Sequence, residues 1–119
     1  MRLDRSAHAG GPIVTGFSGS GFKIDGAATA GGALLTPEWW RPWDGALDLD
    51  ALEPLIAIAP EFILLGTGSM LVRPAPDLVT ALETRGIGIE AMDSRAAARA
   101  WGVLRGEDRW IAAALMPLG

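Results

Sequence analysis

The sequence predicts a mixed α/β sandwich in which an N-terminal antiparallel β segment precedes a βαβα unit. The first third of the chain contains short apolar and β-branched runs separated by glycine-rich turns, a pattern typical of hairpins. The remainder alternates apolar runs with capped segments of helical periodicity. A strand–helix–strand unit across residues 62–92 requires a right-handed crossover and therefore a parallel strand pair.

The antiparallel segment is expected to contain several strands joined by turns. The predicted strands are residues 13–17, 22–24, 32–36 and 39–43. Ser18-Gly19-Ser20-Gly21 indicates a hairpin, though not the strict two-residue kind, and Asp25-Gly26 is a second turn signal. Pro37 stops the third strand. Because Pro42 cannot donate a ladder hydrogen bond, we expect the fourth strand to lie at a sheet edge.

The βαβα unit follows from helix signals that bracket two apolar runs. Asp48 and Ser94 are expected to cap the first and third helices, and Pro76 opens the second. The apolar runs at 62–65 and 87–92 are predicted to be buried strands. The residues expected to end the three helices are Pro60, Gly86 and Gly106. The inward-facing residues are expected to be Leu52, Leu55, Ile56 and Ala59, then Leu78, Val79 and Leu82, then Ala97, Ala98, Trp101 and Leu104. The last apolar run, 110–116, fits helix or strand equally.

Length and composition limit the domain organisation and the chemistry. A chain of 119 residues fits one domain, with residues 1–12 expected as a flexible N-terminal arm and residues 13–119 as the α/β domain. His8 lies in that arm, which makes it a poor general base or metal ligand. With no cysteine and no clustered carboxylates, we predict no catalytic set, no metal site and no cofactor.

Charge and hydropathy exclude two kinds of partner. The net charge is −4 and no basic stripe is present, so nucleic-acid binding is not expected. The most apolar stretch, residues 55–72, is interrupted by Pro60-Glu61 and again by Gly66-Thr67-Gly68-Ser69. A membrane span needs about 20 mostly apolar residues without such breaks. We see no signal peptide either, and we expect a cytoplasmic protein.

Two loops are candidates for a ligand site. Gly66-Thr67-Gly68-Ser69 and Asp93-Ser94 each follow a strand of the predicted parallel pair, and ligands gather beyond the carboxyl ends of such strands. Backbone N–H groups and hydroxyls in a shared crevice would suit a small anionic ligand. The alternative is structural: the first loop is then only a turn and Asp93-Ser94 only a helix cap. Glu107 and Arg109 lie in a charged turn that is expected to be solvated; the alternatives are an ion pair between the two residues or a contribution to the crevice.

The tryptophans suggest a different kind of surface. Trp39 and Trp43 share one face of an extended segment and Trp40 the other, so at least one of the three should be exposed. Tryptophan is enriched at binding hot spots, which makes this segment a candidate partner contact; a lid over the sheet edge is the alternative. Half of the chain is apolar, which fits either a large core or a surface covered by a protein partner or a second copy. Monomer and homodimer both remain open.

Several short motifs, taken in order, resemble the Mth938-type family of unknown function, which includes the mitochondrial NADH dehydrogenase complex I assembly factor 3. They run through residues 13–117. The motifs are Gly21-Phe22-Lys23-Ile24-Asp25-Gly26, Gly32-Ala33-Leu34-Leu35-Thr36-Pro37, Trp43, Pro60-Glu61, Leu65-Gly66-Thr67-Gly68, Gly86-Ile87-Gly88-Ile89-Glu90, Met92-Asp93-Ser94, Ala97, Leu104, Glu107, Arg109 and Ala113-Ala114-Leu115.

The resemblance implies a three-layer β/β/α fold, with members of unknown function and a mitochondrial member that assists assembly. It also implies a cavity near the central Gly-Thr-Gly, here Gly66, Thr67 and Gly68, with Asp93, Ser94, Glu107 and Arg109. Three positions depart from the family pattern. Ala98, Gly102 and Asp108 stand where members often carry Cys, Asn and Gly, which weakens a catalytic interpretation.

Two functions follow as hypotheses. The preferred one is a non-catalytic binding or assembly module that aids assembly of a respiratory or membrane complex. The other is a small-molecule domain or enzyme that binds an anionic ligand in the crevice, with Asp93 or Glu107 as acid or base.

Overall fold

The computed structural model of the chain describes residues 10–119, which form two β-sheets and three helices. The strands are β1 Val14–Ser18, β2 Gly21–Ile24, β3 Ala27–Thr29, β4 Gly32–Leu35, β5 Trp40–Trp43, β6 Phe62–Gly66, β7 Gly88–Met92 and β8 Ala112–Leu115. The helices are α1 Leu49–Ile56, α2 Pro76–Thr84 and α3 Ser94–Gly106.

A small antiparallel sheet, β1-β2-β3, opens the chain. Ser18 pairs with Gly21, so the first hairpin does have a two-residue loop and the longer loop expected from the sequence is wrong. Gly19 adopts a positive φ of 59° there, which spares the loop the strain that a side chain would cause. Asp25-Gly26 forms the second predicted turn, with positive φ at both residues, as a type I′ hairpin requires.

The main sheet has five strands in the order β5-β4-β8-β6-β7. Strands β6 and β7 are parallel neighbours in register from Phe62↔Gly88 to Gly66↔Met92, which confirms the predicted parallel pair. The ambiguous run at 110–116 contains β8, inserted between β4 and β6. Its three consecutive alanines favour a helix locally, but the sheet position supplies hydrogen-bond partners on both sides.

Apolar side chains cover both faces of the main sheet and produce three layers. On one face, Leu34, Ile63 and Leu65 pack with the buried residues of α1 and α2. On the other face, the core includes Phe22 and Ile24 of the small sheet together with Trp101 of α3. The fold class is therefore confirmed as α/β with three layers, and α3 shares the outer layer with the small sheet.

Local signals decide where the helices begin and end. The Asp48 carboxylate accepts a hydrogen bond from the Ala51 N–H at 2.8 Å, as the predicted cap. Helix α1 stops at Ile56, earlier than expected, and Ala59 already has a positive φ of 51°. Pro60 therefore follows a turn and does not itself end the helix. Gly86, with φ of 77°, follows α2 as predicted.

Two sequence expectations concern the chain start and the membrane. Residues 1–9 of the expected arm, with His8, lie outside the described residues. Pro12 is buried and its carbonyl accepts a hydrogen bond from the Trp101 indole at 2.9 Å. Within residues 10–119, no helix has the length and hydrophobicity that crossing a membrane requires.

Candidate functional site

The two predicted loops do meet at the carboxyl edge of the parallel strands. The Thr67 N–H donates to the Met92 carbonyl at 2.9 Å, and the Ser94 N–H donates to the Gly68 carbonyl at 2.8 Å. The loop after β6 is therefore held directly against the junction of β7 and α3. This confirms the predicted juxtaposition of the Gly66–Ser69 segment with Asp93 and Ser94.

The Ser94 hydroxyl both donates and accepts a hydrogen bond at this junction. It accepts a hydrogen bond from the Gly68 N–H at 2.8 Å and donates one to the Met116 carbonyl at 2.8 Å. Ser94 is completely buried. One hydroxyl thus joins α3, the loop after β6 and the chain beyond β8, and it has no exposed surface to offer a ligand.

Asp93, and not Ser94, is the N-cap of α3. Its carboxylate accepts a hydrogen bond from the Ala96 N–H at 2.9 Å, and its backbone is extended. The prediction of Ser94 as the cap is therefore wrong by one residue, because both residue types cap helices well. The Asp93 carboxylate thus accepts from an N–H group of the first helical turn, which is a structural role.

The Thr67 hydroxyl shapes the loop that follows it. It donates to the Met70 carbonyl at 2.7 Å, lies 3.3 Å from the Met92 carbonyl, and accepts from the Val72 N–H at 2.9 Å. Thr67 is itself 9% exposed. Its side chain therefore links the start of the loop to the backbone at residues 70 and 72.

The two glycines allow close approach. A Cβ atom on Gly66 would lie 2.8 Å from the Ser94 Oγ and 3.0 Å from a Leu115 methyl group, both too close. Gly68 has a positive φ of 96°, a conformation that other residues rarely adopt. These glycines bring the α3 start down onto β6, so that the hydrogen bonds of Ser94 can form.

Glu107 and Arg109 do not lie at this edge. Both follow α3, which returns from the carboxyl edge, so they lie near the opposite edge of the sheet, where Glu61 precedes β6. The Arg109 guanidinium donates to the Glu61 carboxylate at 2.6 Å, so the ion-pair partner of Arg109 is Glu61 and not Glu107, the partner that the sequence offered as an alternative. The hydrogen bond from Arg109 holds the pKa of Glu61 below its ordinary value. Glu107 and Arg109 thus cannot share a crevice with the Gly66–Ser69 segment, and their predicted place in that site is wrong.

The feature that sequence reasoning missed is an exposed apolar segment in the same loop. Met70, Leu71 and Val72 are 67%, 50% and 57% exposed. The signal was present, since three consecutive apolar residues follow Gly-Thr-Gly-Ser. From the sequence, these residues were considered only as the end of the apolar stretch that was tested for a membrane span. We call residues 70–72 the apolar loop.

The tryptophan segment alternates as predicted but is less exposed. Trp43 is buried with its indole donating to the Ala46 carbonyl at 3.0 Å. Trp39 packs beside it on the helix-covered face, where the Arg41 guanidinium stacks 4.1 Å from its ring. Trp40 packs on the other face. Trp39 and Trp40 are half-buried, so the expected exposed tryptophan is found here only in part.

Open grooves lie on both sides of α2. One, of about 450 Å³, is bounded by apolar residues between α1 and α2 and by three carboxylates, Asp48, Asp50 and Asp77. The other, of about 480 Å³, runs along the outer side of β7. Among residues 10–119, no group of three or more carboxylate, imidazole or thiol side chains is placed to hold a metal ion.

Comparison with known proteins identifies the family. A family model described as a protein of unknown function, DUF498/DUF598, matches residues 14–116. The chain belongs to this family. An uncharacterized protein of Rhodobacter capsulatus is 36% identical to it over 92% of this chain and 88% of that protein.

Two further comparisons connect the DUF498 chain to the resemblance noted in the sequence. The Danio rerio NADH dehydrogenase [ubiquinone] 1 alpha subcomplex assembly factor 3 is 28% identical, over 98% of this chain and 69% of that protein. A Bordetella pertussis protein described as a Mth938-like domain has a TM-score of 0.79 at 24% identity, over 100% of this chain and 92% of that one. The Mth938-type resemblance is therefore confirmed.

Proposed function

We propose that this DUF498 chain is a non-catalytic protein-binding module of the assembly-factor kind. The observation that carries the proposal is the apolar loop: Met70, Leu71 and Val72 face outward from a backbone that Thr67 holds in shape. Of the three hydroxyls beside it, those of Thr67 and Ser94 are already engaged within the protein, and that of Ser69 is exposed. The loop after β6 is therefore better suited to presenting apolar side chains to a partner than to catalysing a reaction.

The energetics of association favour such a loop. Contiguous apolar groups exposed to water gain free energy when a partner covers them, at roughly 25 cal/mol per Å². Fixing a flexible segment normally opposes binding, and the two short hydrogen bonds of Thr67 have already fixed this one. Met70 adds an adaptable side chain of the type common at interfaces.

Three sequence expectations remain part of this proposal. The assembly-factor relative supports a role in assembling a respiratory or membrane complex, which we extend to this chain as a hypothesis. The half-buried face at Trp39 and Trp40 is a candidate second contact. A cytoplasmic location is proposed on the sequence argument alone. Binding of an anionic ligand, or a reaction, in the crevice remains the alternative prediction. Fewer hydroxyl groups are available for it, because those of Thr67 and Ser94 are bonded within the protein.

Site-specific photo-crosslinking tests the proposal. A photoreactive amino acid is placed at Leu71, and in a matched control at Val103, which is 63% exposed on α3. After irradiation in the native cells, we expect one discrete cross-linked protein from position 71 and none of the same identity from 103. The same products from both positions, or no product from 71, would contradict a binding role for the apolar loop.

A further inference from the structure

Among residues 10–119, strand β7 is the last strand of the main sheet, and one side of its backbone has no neighbouring strand. The Gly88 N–H donates to the Glu61 carbonyl, and the Met92 carbonyl accepts from the Thr67 N–H, so both residues direct their backbone groups toward β6. Backbone direction alternates along a strand. The N–H and C=O groups of Ile89 and Ala91 therefore point away from the sheet, and no strand of the described chain pairs with them.

An open groove gives access to these groups. It is lined by Ile89, Glu90 and Ala91 of β7 and, across the groove, by Arg73, Pro74, Pro76, Val79 and Thr80. Its volume is about 480 Å³. Ile89 and Ala91 pack toward the α2 side of the sheet, so the groove lies on that face. Glu90 is exposed and points to the other face.

The other sheet edges in residues 10–119 are less suited to pairing. The Trp39 carbonyl accepts from the Thr36 N–H, so by alternation Pro42 faces outward in β5 and presents no N–H group. Strand β3 has three residues, and β1 has an irregular register between Val14 and Gly16. Short, bulged or proline-containing edges are the usual means of preventing pairing. The β7 edge is five residues long and regular.

We propose that β7 binds an extended segment of a partner protein, which adds to the main sheet as a sixth, antiparallel strand. The inference rests on the proposed function and names the mode of recognition. Residues of the segment opposite Ile89 and Ala91 exchange backbone hydrogen bonds with them and place apolar side chains in the groove. The residue opposite Glu90 is lysine or arginine, because opposite charges stabilise a cross-strand pair.

A second copy of the chain fits the edge less well. The self-pairing that uses all outward groups joins Ile89 of one copy to Ala91 of the other. A two-fold axis then places Glu90 directly opposite itself. In such a non-hydrogen-bonded pair the Cα atoms are only about 4.5 Å apart, and like charges there are destabilising. Glu90 thus selects against a copy and for a basic partner segment.

Capped synthetic peptides test the proposal without knowledge of the natural partner. The probe is Ser-Thr-Val-Lys-Val-Thr-Ser, whose lysine lies opposite Glu90 and whose valines lie opposite Ile89 and Ala91. We expect the NMR signals of the Ile89 and Ala91 amides to shift on titration. A peptide with glutamate for lysine should bind about 3- to 10-fold more weakly, from the charge contribution of one cross-strand pair.

Two N-methylated peptides serve as matched controls. Methylation of both valine nitrogens removes the hydrogen bonds that the peptide donates to β7 and places methyl groups against the strand, so it should abolish binding. Methylation of the lysine nitrogen, which faces solvent, should not. In the protein, Ala91→Pro removes one outward N–H and should also abolish binding. If this variant does not fold, the peptide pair alone decides the question.

Several results would overturn the proposal. These are binding of the valine-methylated peptide, absence of any shift at Ile89 and Ala91, or dimers of the unaltered chain that pair through this edge. The Leu71 cross-link is independent of these measurements. If it forms while the peptides fail, only strand addition is wrong; if it also fails, the binding function itself is wrong.

Discussion

At the residue scale, the Ser94 hydroxyl connects three segments that are distant in sequence. It bonds the Gly68 N–H and the Met116 carbonyl from inside the protein. Removing one partner of a buried hydrogen bond leaves the other unsatisfied, which costs more than the bond itself contributes. The serine is therefore a structural residue at the centre of what the sequence presented as a ligand site.

Replacing Ser94 with alanine should lower the free energy of unfolding by about 1–3 kcal/mol, because the Gly68 N–H loses its acceptor. Urea denaturation measures this change. Ser69→Ala is the matched control, since Ser69 is exposed in the same loop; its effect should stay within about 0.5 kcal/mol. Equal effects of the two substitutions would show that the buried hydrogen bonds do not stabilise this edge.

The Glu61–Arg109 pair gives a residue-scale prediction about pH. The hydrogen bond from Arg109 lowers the pKa of Glu61 in the folded protein. A carboxyl group whose pKa is lowered in the folded state stabilises the protein. This stabilisation is fully present at a pH above the group's ordinary pKa and is lost as the pH falls through the lowered pKa. Arg109→Gln should raise the pKa of Glu61 toward its ordinary value, as NMR titration of the carboxyl carbon will show.

The control for this titration is the other surface pair. Arg85 lies 3.3 Å from Glu53, and Arg85→Gln should leave the Glu61 titration where it is. An unchanged Glu61 pKa in the Arg109 variant would mean that solvent screening already removes the interaction, as it often does for exposed pairs.

At the scale of elements, the contact between β6 and α3 depends on Gly66. A methyl group there would overlap Ser94 and Leu115. We expect Gly66→Ala to destabilise the protein by about 1–3 kcal/mol, the usual effect of overpacking. Thermal or urea unfolding provides the measurement.

Gly102, within α3, is the control for Gly66. A Cβ atom at Gly102 would meet nothing within 4 Å, so Gly102→Ala should stabilise the helix by up to about 1 kcal/mol. Opposite signs for the two substitutions support close strand–helix packing. A neutral Gly66→Ala would contradict it.

Element by element, prediction from sequence succeeded where hydrophobic pattern and caps agreed. The run at 62–65 and the cap at Asp48 are examples. It failed where tertiary pairing decides: β3, with two alanines, has no local strand signal, and β8 is a strand because of its neighbours. The meeting of the loops after β6 and β7 was predicted from the parallel arrangement of these strands alone. Glu107 was misplaced because a crossover helix carries its C-terminus back to the opposite edge.

At the scale of the whole molecule, the proposed contact features share one end. The apolar loop is fixed to Met92 through Thr67, and Met92 is the last residue of β7. The N-terminal end of an antiparallel partner segment added along β7 would therefore lie beside the apolar loop. Strand addition and the apolar contact then act as one surface, with backbone hydrogen bonds for affinity and side chains for selectivity.

The proposed role of Glu90 gives a prediction about self-association through β7. Glu90→Thr removes the like-charge contact that opposes self-pairing, so it should raise the dimer association constant about 3- to 10-fold. Analytical ultracentrifugation over a range of concentrations measures it. Adding Ala91→Pro to the same chain should reverse the gain, and an increase that survives the proline would place the dimer contact elsewhere.

The proposed binding surface is the apolar loop at the carboxyl ends of β6 and β7, which contacts a protein partner. The most direct test replaces Met70, Leu71 and Val72 together with serine and compares, in native cells, the amount of partner recovered with the chain. We predict that the serine variant recovers no partner. Because all three side chains are exposed, each substitution should change the free energy of unfolding by about 0.5 kcal/mol, so the variant should stay folded and within about 1.5 kcal/mol of wild type. Undiminished partner recovery from a folded serine variant would contradict the claim.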